Sequence, residues 1–188
     1  MPVLASHLAR TIPHGARVLD IGAGDGRIDS LILAARSDVT ICGVDVGQRD
    51  HTHIAVSAFD GTTLPFADQS FDAAMLIDVL HHTDDPQVLL REAARVAKLV
   101  ILKDHTRDGF LAGIRLRCMD YVGNRYTNVS LPNNYYTRER WRDVFARLRL
   151  REIESTVDLG IYPWPINAVF ERGLNFLCVL QSDATKRF

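Results

Sequence analysis

What the chain lacks narrows its class before any motif does. No run of apolar residues approaches the roughly 20 needed to cross a membrane. The N-terminal stretch "MPVLASHLARTIPHG" has no charged-then-apolar signal pattern. A cytoplasmic protein with no membrane insertion is therefore expected. Excess charge is missing too: the formal net charge is −1, with no long block of one sign. A dedicated nucleic-acid or membrane-surface binder would carry a basic patch, so the expected partner is a small molecule and not a nucleic acid. The three cysteines, Cys42, Cys118 and Cys178, are far apart and lack CxxC-type spacing. They read as buried reduced thiols, and no metal site is expected. Repeats, low-complexity segments and interdomain linkers are absent. With 188 residues, 47% of them apolar, the chain is long enough for one domain with a real core.

What is present is alternation. "ARVLDIG", "VTICGVDV", "HIAVSAFDG", "FDAAMLIDVL" and "KLVILKD" read as buried strands. Between the first two, Ile28, Leu31, Ile32 and Ala35 fall on one helical face. After the fourth, Thr83 or Asp85 can cap a helix with Pro86 in its first turn, running to about Ala97. Strand–helix alternation predicts a parallel sheet covered on both faces, and near-continuous apolar strands agree. One crossover departs from the pattern. Only about seven residues, Val46 to Thr52, separate the second and third strands, too few for the usual helix.

The stretch richest in information is "VLDIGAGDGRI", residues 18–28. A strand that ends in a glycine-rich turn and feeds a helix gathers free backbone N–H groups and the positive end of the helix dipole at one point. Glycines allow a sharp turn and close approach of a ligand. The spacing is G-x-G-x-G, not the dinucleotide G-x-G-x-x-G, and no phosphate-binding G-x-x-x-x-G-K-[ST] occurs.

These residues resemble the first motif of the class I S-adenosylmethionine (SAM)-dependent methyltransferases. "GVDV" places an acid at the end of the second strand, and "AFDGTTLPFADQSFDAAMLIDVLHHTDDPQVLLREAARVAK" is similar to the middle of the type 11, ubiquinone-biosynthesis-like branch. The resemblance covers roughly residues 16–104 and extends more weakly over "YYTRERWRDVFARLRLREIE". It implies a Rossmann-like, doubly wound, mostly parallel seven-stranded sheet, with "LNFLCVLQ" as an antiparallel last strand. It also implies SAM as cofactor and S-adenosylhomocysteine as product. By the same resemblance, Gly22, Gly24 and Gly26 would lie under the methionine part of SAM, with Asp20 near its ammonium group. Asp45 would accept the ribose hydroxyls, and Val46 would flank the adenine. Asp60 and the Gly61 N–H would read the adenine edge. Ile77 and Asp78 would close the methionine end.

Catalytic candidates are His82 and His105, since methyl transfer to a hydroxyl or an acidic carbon needs a base. The acceptor is expected to meet residues 105–136, an insertion that reads as an apolar helix followed by a tyrosine- and asparagine-rich loop. Phe110, Ile114, Cys118 or Met119, and Val122 would form the helix's apolar stripe. Tyr121, Tyr126, Tyr135 and Tyr136 would line a substrate lid within an otherwise single domain spanning 1–188. The expected activity is methyl transfer from SAM to an O, C or N atom of a small organic metabolite. Two alternatives remain open: a non-catalytic SAM- or nucleotide-binding module, and an NAD-binding oxidoreductase, which the glycine spacing disfavours.

Overall fold

The computed structural model describes residues 1–182 apart from 48, 110, 125–133 and 172, with side chains at all of these but 119–124, 168 and 169. Five parallel strands carry the frame: β1 (Arg17–Ile21), β2 (Thr40–Asp45), β3 (Val56–Ala58), β4 (Phe71–Ile77) and β5 (Ala97–His105). Two more, β6 (Leu150–Val157) and β7 (Asn175–Ser182), complete a seven-stranded sheet in the order β3-β2-β1-β4-β5-β7-β6. β7 runs antiparallel to both β5 and β6. This is the doubly wound, Rossmann-like sheet expected, with the antiparallel strand at 174–181 where it was placed.

Successive strand residues point to opposite faces, and each face has its own core. Leu19, Ile21, Ala74, Leu76, Val100 and Leu102 pack with α3 (Pro86–Val96) and α5 (Arg138–Arg147). Val18, Ala73, Met75 and Ile101 pack with α1 (Pro2–Thr11) and α2 (Arg27–Ala35). The start of α3 is capped by Asp85, whose carboxylate accepts from the Gln87 N–H at 3.0 Å, with Pro86 in the first turn. Thr83, the other candidate cap, instead donates its hydroxyl to the Leu80 carbonyl in a 3₁₀ turn at Leu80–His82.

The short crossover behaves as its length requires: among the described residues no helix lies between β2 and β3. Helix α1 was not expected. It buries Leu4, Ala5, Leu8 and Ala9. The Arg36 guanidinium bridges to it by donating to the carbonyls of Ala9, Ile12 and Pro13 while pairing with Asp38.

The insertion after β5 corrects three expectations. Its helix α4 (Ala112–Asn124) turns Ala112 and Leu116 inward against Tyr135 and Leu174, whereas Ile114 is exposed. The expected stripe was therefore set on the wrong face; Phe110 lies outside the described residues. Tyr135 and Tyr136 are both buried at 6% exposure, Tyr136 against Trp141, so they pack as core instead of lining an open lid. Tyr126 lies outside the described residues, and Tyr121 is described only as part of α4's backbone. Cys118 is exposed on α4, contrary to the buried thiol expected; Cys178 is buried and Cys42 half-buried. No helix among the described residues is long and apolar enough to cross a membrane.

Trp141 joins α5 to the sheet. It is 1% exposed, packs on Tyr136, Phe145 and Phe176, and donates its indole N–H to the His105 carbonyl at 3.2 Å. Trp141→Phe keeps a ring but leaves that buried carbonyl without its donor. It should cost about 1–3 kcal/mol in urea unfolding, against about 3–5 kcal/mol for Trp141→Ala. A Phe variant as stable as the parent would remove the hydrogen bond from this account.

Candidate active site

The glycine turn is shaped by close packing at both ends. A side chain on Gly22 (φ +81°) would meet a Val79 methyl at 2.5 Å, and one on Gly26 (φ +71°) would meet Ile54 at 2.5 Å. Both positions also lie in the left-handed region, where a Cβ is strained. Gly24 differs, because a side chain there would find open space. Its N–H donates to Asp45 Oδ2 at 2.8 Å, while Asp45 Oδ1 accepts from Gly47 N–H at 2.7 Å. The acid at the end of β2 thus braces the glycine turn and its own turn together.

In front of this turn lies a cavity of about 610 Å³, a size suited to a nucleotide-like ligand. It opens at the carboxyl ends of β1, β2 and β4, where open α/β sheets bind ligands. Of the expected residues, Gly22, Gly24, Asp45, Val46, Gly61, Asp78 and His82 line it. Val46, 68% exposed, and Phe59 supply an apolar wall. Asp20, Gly26, Asp60, Ile77 and His105 are not among the lining residues. Gly26 sets the helix start from behind. Asp60 Oδ1 accepts from the N–H groups of Thr62 and Thr63, both at 2.7 Å, and those donors hold its carboxyl below the ordinary range. It shapes the turn that presents Gly61. Ile77 packs against the α1–α2 core. Asp20 is 2% exposed and sits in hydrogen-bond contact with Asp29, which is fully buried.

Behind the far end of the cavity is a buried polar network that the spacing of the sequence did not reveal. Asp78, with a φ of +57°, keeps 37% of its side chain exposed. Its Oδ1 accepts from the buried Lys103 ammonium and lies 3.2 Å from His105 Nε2. Burial pushes the Asp78 carboxyl up, but Lys103, with His105 and His81, outweighs it and holds it at about 2. Asp78 is therefore ionised at neutral pH. Burial and the nearby Lys103 push His105 down to about 4, so its ring is neutral. A ring so poor in basicity serves better as a partner for Asp78 than as a proton acceptor.

A second carboxylate, Asp104, is fully buried and accepts from His81 Nδ1 at 2.7 Å, His105 N–H at 2.7 Å and Leu80 N–H at 3.1 Å. His81 stacks on Tyr135 and lies 4.0 Å, ring centre to ring centre, from His82. The wall residue His82 is thus backed by an Asp104–His81 pair. Donor atoms of Asp78, His81 and His105 lie within 4.8 Å of one another, but the same Asp78 oxygen already carries the Lys103 ammonium. Among the described residues the insertion meets the rim through Asn134, which donates to the carbonyls of Thr83 and Asp84, both cavity residues. Sequence reasoning passed over Lys103, Asp104 and Asp29, and of the pair His81-His82 it chose His82 alone. The one available signal was charge inside otherwise apolar runs, "VILKDH" and "RIDSLIL".

Comparison with known proteins agrees with this geometry. Residues 3–155 match a family model described as a methyltransferase domain. The chain is 37% identical over 95 residues to demethylmenaquinone methyltransferase of Paenarthrobacter aurescens, covering 48% of this chain and 38% of that protein. It is 30% identical over 110 residues to 27-O-demethylrifamycin SV methyltransferase of Amycolatopsis mediterranei, covering 50% and 40%. The chain thus spans about two fifths of the length of these curated relatives. A solved SAM-dependent methyltransferase from Methanosarcina mazei shares the fold, with a TM-score of 0.67 at 18% identity over 94% of this chain and 96% of that one. The glycine turn, the acid at the end of β2, the strand order and the match over residues 3–155 converge, and the chain belongs to the class I, SAM-dependent methyltransferase family.

Proposed function

We propose that this chain binds SAM in the cavity before the glycine turn and transfers its methyl group to a small organic acceptor. The observation that carries the reading is the gradient along one cavity wall. Gly24, Asp45, Val46, Phe59 and Gly61 offer nucleoside-type contacts at one end, and the ionised Asp78 and His82 stand at the other. A carboxylate suits a ribose diol, because both of its oxygens accept. An apolar wall suits adenine, and the open face of Gly24 leaves room for the methionine chain. Asp20 lies beneath that chain's ammonium group, Gly22 and Gly26 fix the turn, Asp60 orients Gly61, and Ile77 backs Asp78.

Bound SAM would supply a methyl group already activated on a sulfonium: the acceptor's lone pair forms the new bond to that carbon as its bond to sulfur breaks and the thioether leaves. What remains for the protein is alignment and proton handling. Asp78, fixed by Lys103 and His105, places a permanent negative charge beside the cationic end. His82, backed by His81 and Asp104, takes the acceptor's proton when the acceptor is a hydroxyl or an acidic carbon. A small-molecule acceptor suits the formal net charge of −1 better than a nucleic acid does, and the two curated relatives above, at 37% and 30% identity, are methyltransferases named for small molecules.

SAM and S-adenosylhomocysteine should bind in calorimetry, and NAD should not; equal or tighter NAD binding would reject the cofactor reading. Asp45→Ala removes the ribose acceptor and the Gly24 brace together. It should lower SAM affinity by about ten- to a hundredfold, the loss of roughly 1.5–3 kcal/mol for a bond to a charged group. Unchanged affinity would reduce Asp45 to a structural brace.

His82→Gln separates catalysis from mere binding. SAM affinity should stay within a few-fold. S-adenosylhomocysteine formation with an accepted small phenol or hydroxylated aromatic should fall by about 10²–10⁴-fold. If the parent protein binds SAM but turns over no member of a broad acceptor panel, the non-catalytic module becomes the better reading.

A further inference from the structure

Asp29 has no counterpart in the roles assigned so far. It stands in the first turn of α2, directly after the glycine turn, yet its side chain is fully buried. Among the described residues, neither of its oxygens receives a hydrogen bond from the N–H or O–H of another residue, its own backbone N–H being the one nearby donor, and Asp20 Oδ1 receives none. The two carboxyls are nevertheless in hydrogen-bond contact with each other. Ionised carboxylates only accept. Two of them cannot make that contact without a proton between them, and burying both charges without donors would cost far more than keeping one proton.

We infer that Asp20 and Asp29 share a single proton beneath the glycine turn, and that Asp29 is a positioning residue that fixes Asp20 and sets the charge of the cofactor's ammonium site. The second half of this inference rests on the proposed SAM site. The titratable groups that face the pair are Asp25, from the glycine turn, and Asp45 and Cys42, from β2. All are acids, so they favour keeping the proton. Burial, followed by the effect of neighbouring carboxyls, lifts Asp20 well above the ordinary range, and burial lifts Asp29 to about 6. The pair therefore carries one proton, and a net charge of −1, at neutral pH. Below about pH 6 it takes up a second proton and becomes neutral.

A carboxyl raised in the folded state binds a proton that the unfolded chain gives up near pH 4. Its contribution is fully present below that pH and is lost as pH rises through about 6 and beyond. Asp29→Asn removes the like charge and lets a side-chain amide donate to Asp20 without any proton. In the unliganded protein, the melting temperature of Asp29→Asn relative to the parent should rise steadily between pH 5 and pH 8. A difference that stays constant over that range would overturn the shared proton.

The second arm reads SAM binding between pH 7 and pH 5, as the ratio of parent to Asp29→Asn affinity, which cancels titration of the ligand itself. The parent should weaken by about tenfold relative to the variant, one linked proton over that interval. Asp29→Leu, which leaves Asp20 with no donor, should bind more weakly than Asp29→Asn at pH 7. A flat ratio, or equal binding by the Asn and Leu variants, would overturn the positioning role. If the parent binds no SAM at any pH, the proposed function fails, and the ligand-free melting arm alone still decides whether the proton is shared.

Discussion

Everything around the cavity depends on three backbones meeting where no side chain fits. Gly22 admits Val79 from the end of β4, Gly26 admits Ile54 from the segment before β3, and a side chain on Gly43 in the middle of β2 would strike Ala23 at 2.5 Å. The missing volume lets β1, β2 and β4 end at one point. A single added carbon at Gly22 or Gly26 would separate elements that must touch if the turn is to face the cavity. The G-x-G-x-G spacing is therefore first a packing requirement. Gly24, with open space before it, is the member of the set that leaves room for a ligand.

Around that point the chain buries acids in two different ways. Asp78 and Asp104 are compensated by cations and donors: Lys103 on one, and His81 with two backbone N–H groups on the other. Both are pulled toward the ionised form despite burial. Asp20 and Asp29 have no such partners and are pushed toward the protonated form. The cavity thus has a fixed negative charge at one end and an adjustable one under the glycine turn. Buried carboxyls separated in this way by their surroundings are a common sign of a working site.

His82, His81, Asp104 and Tyr135 form a contiguous stack behind the wall, and Asn134 ties the end of the insertion to the rim at Thr83 and Asp84. That placement fits an insertion anchored at the cavity edge by its C-terminal end, with its paired tyrosines spent on the core.

By itself the sequence determined the five parallel strands, the glycine turn, the capped helix at Pro86 and the helix-free crossover. These are encoded by local periodicity, turn chemistry and chain length, which act over a few residues. Its resemblance to the methyltransferase family also marked Gly22, Gly24, Asp45, Val46, Gly61, Asp78 and His82, and strand ends in such a fold converge on one crevice. Tertiary structure alone decided which way side chains face once two elements compete for them. It sent Tyr135 and Tyr136 into the core, left Ile114 and Cys118 in solvent, turned Ile77 away from the cavity and made His105 too weak a base. It also created the Lys103–Asp78 and Asp20–Asp29 contacts. Each joins residues nine to twenty-five positions apart, and each has a meaning, charge or shared proton, that depends on how deeply the fold removes it from water.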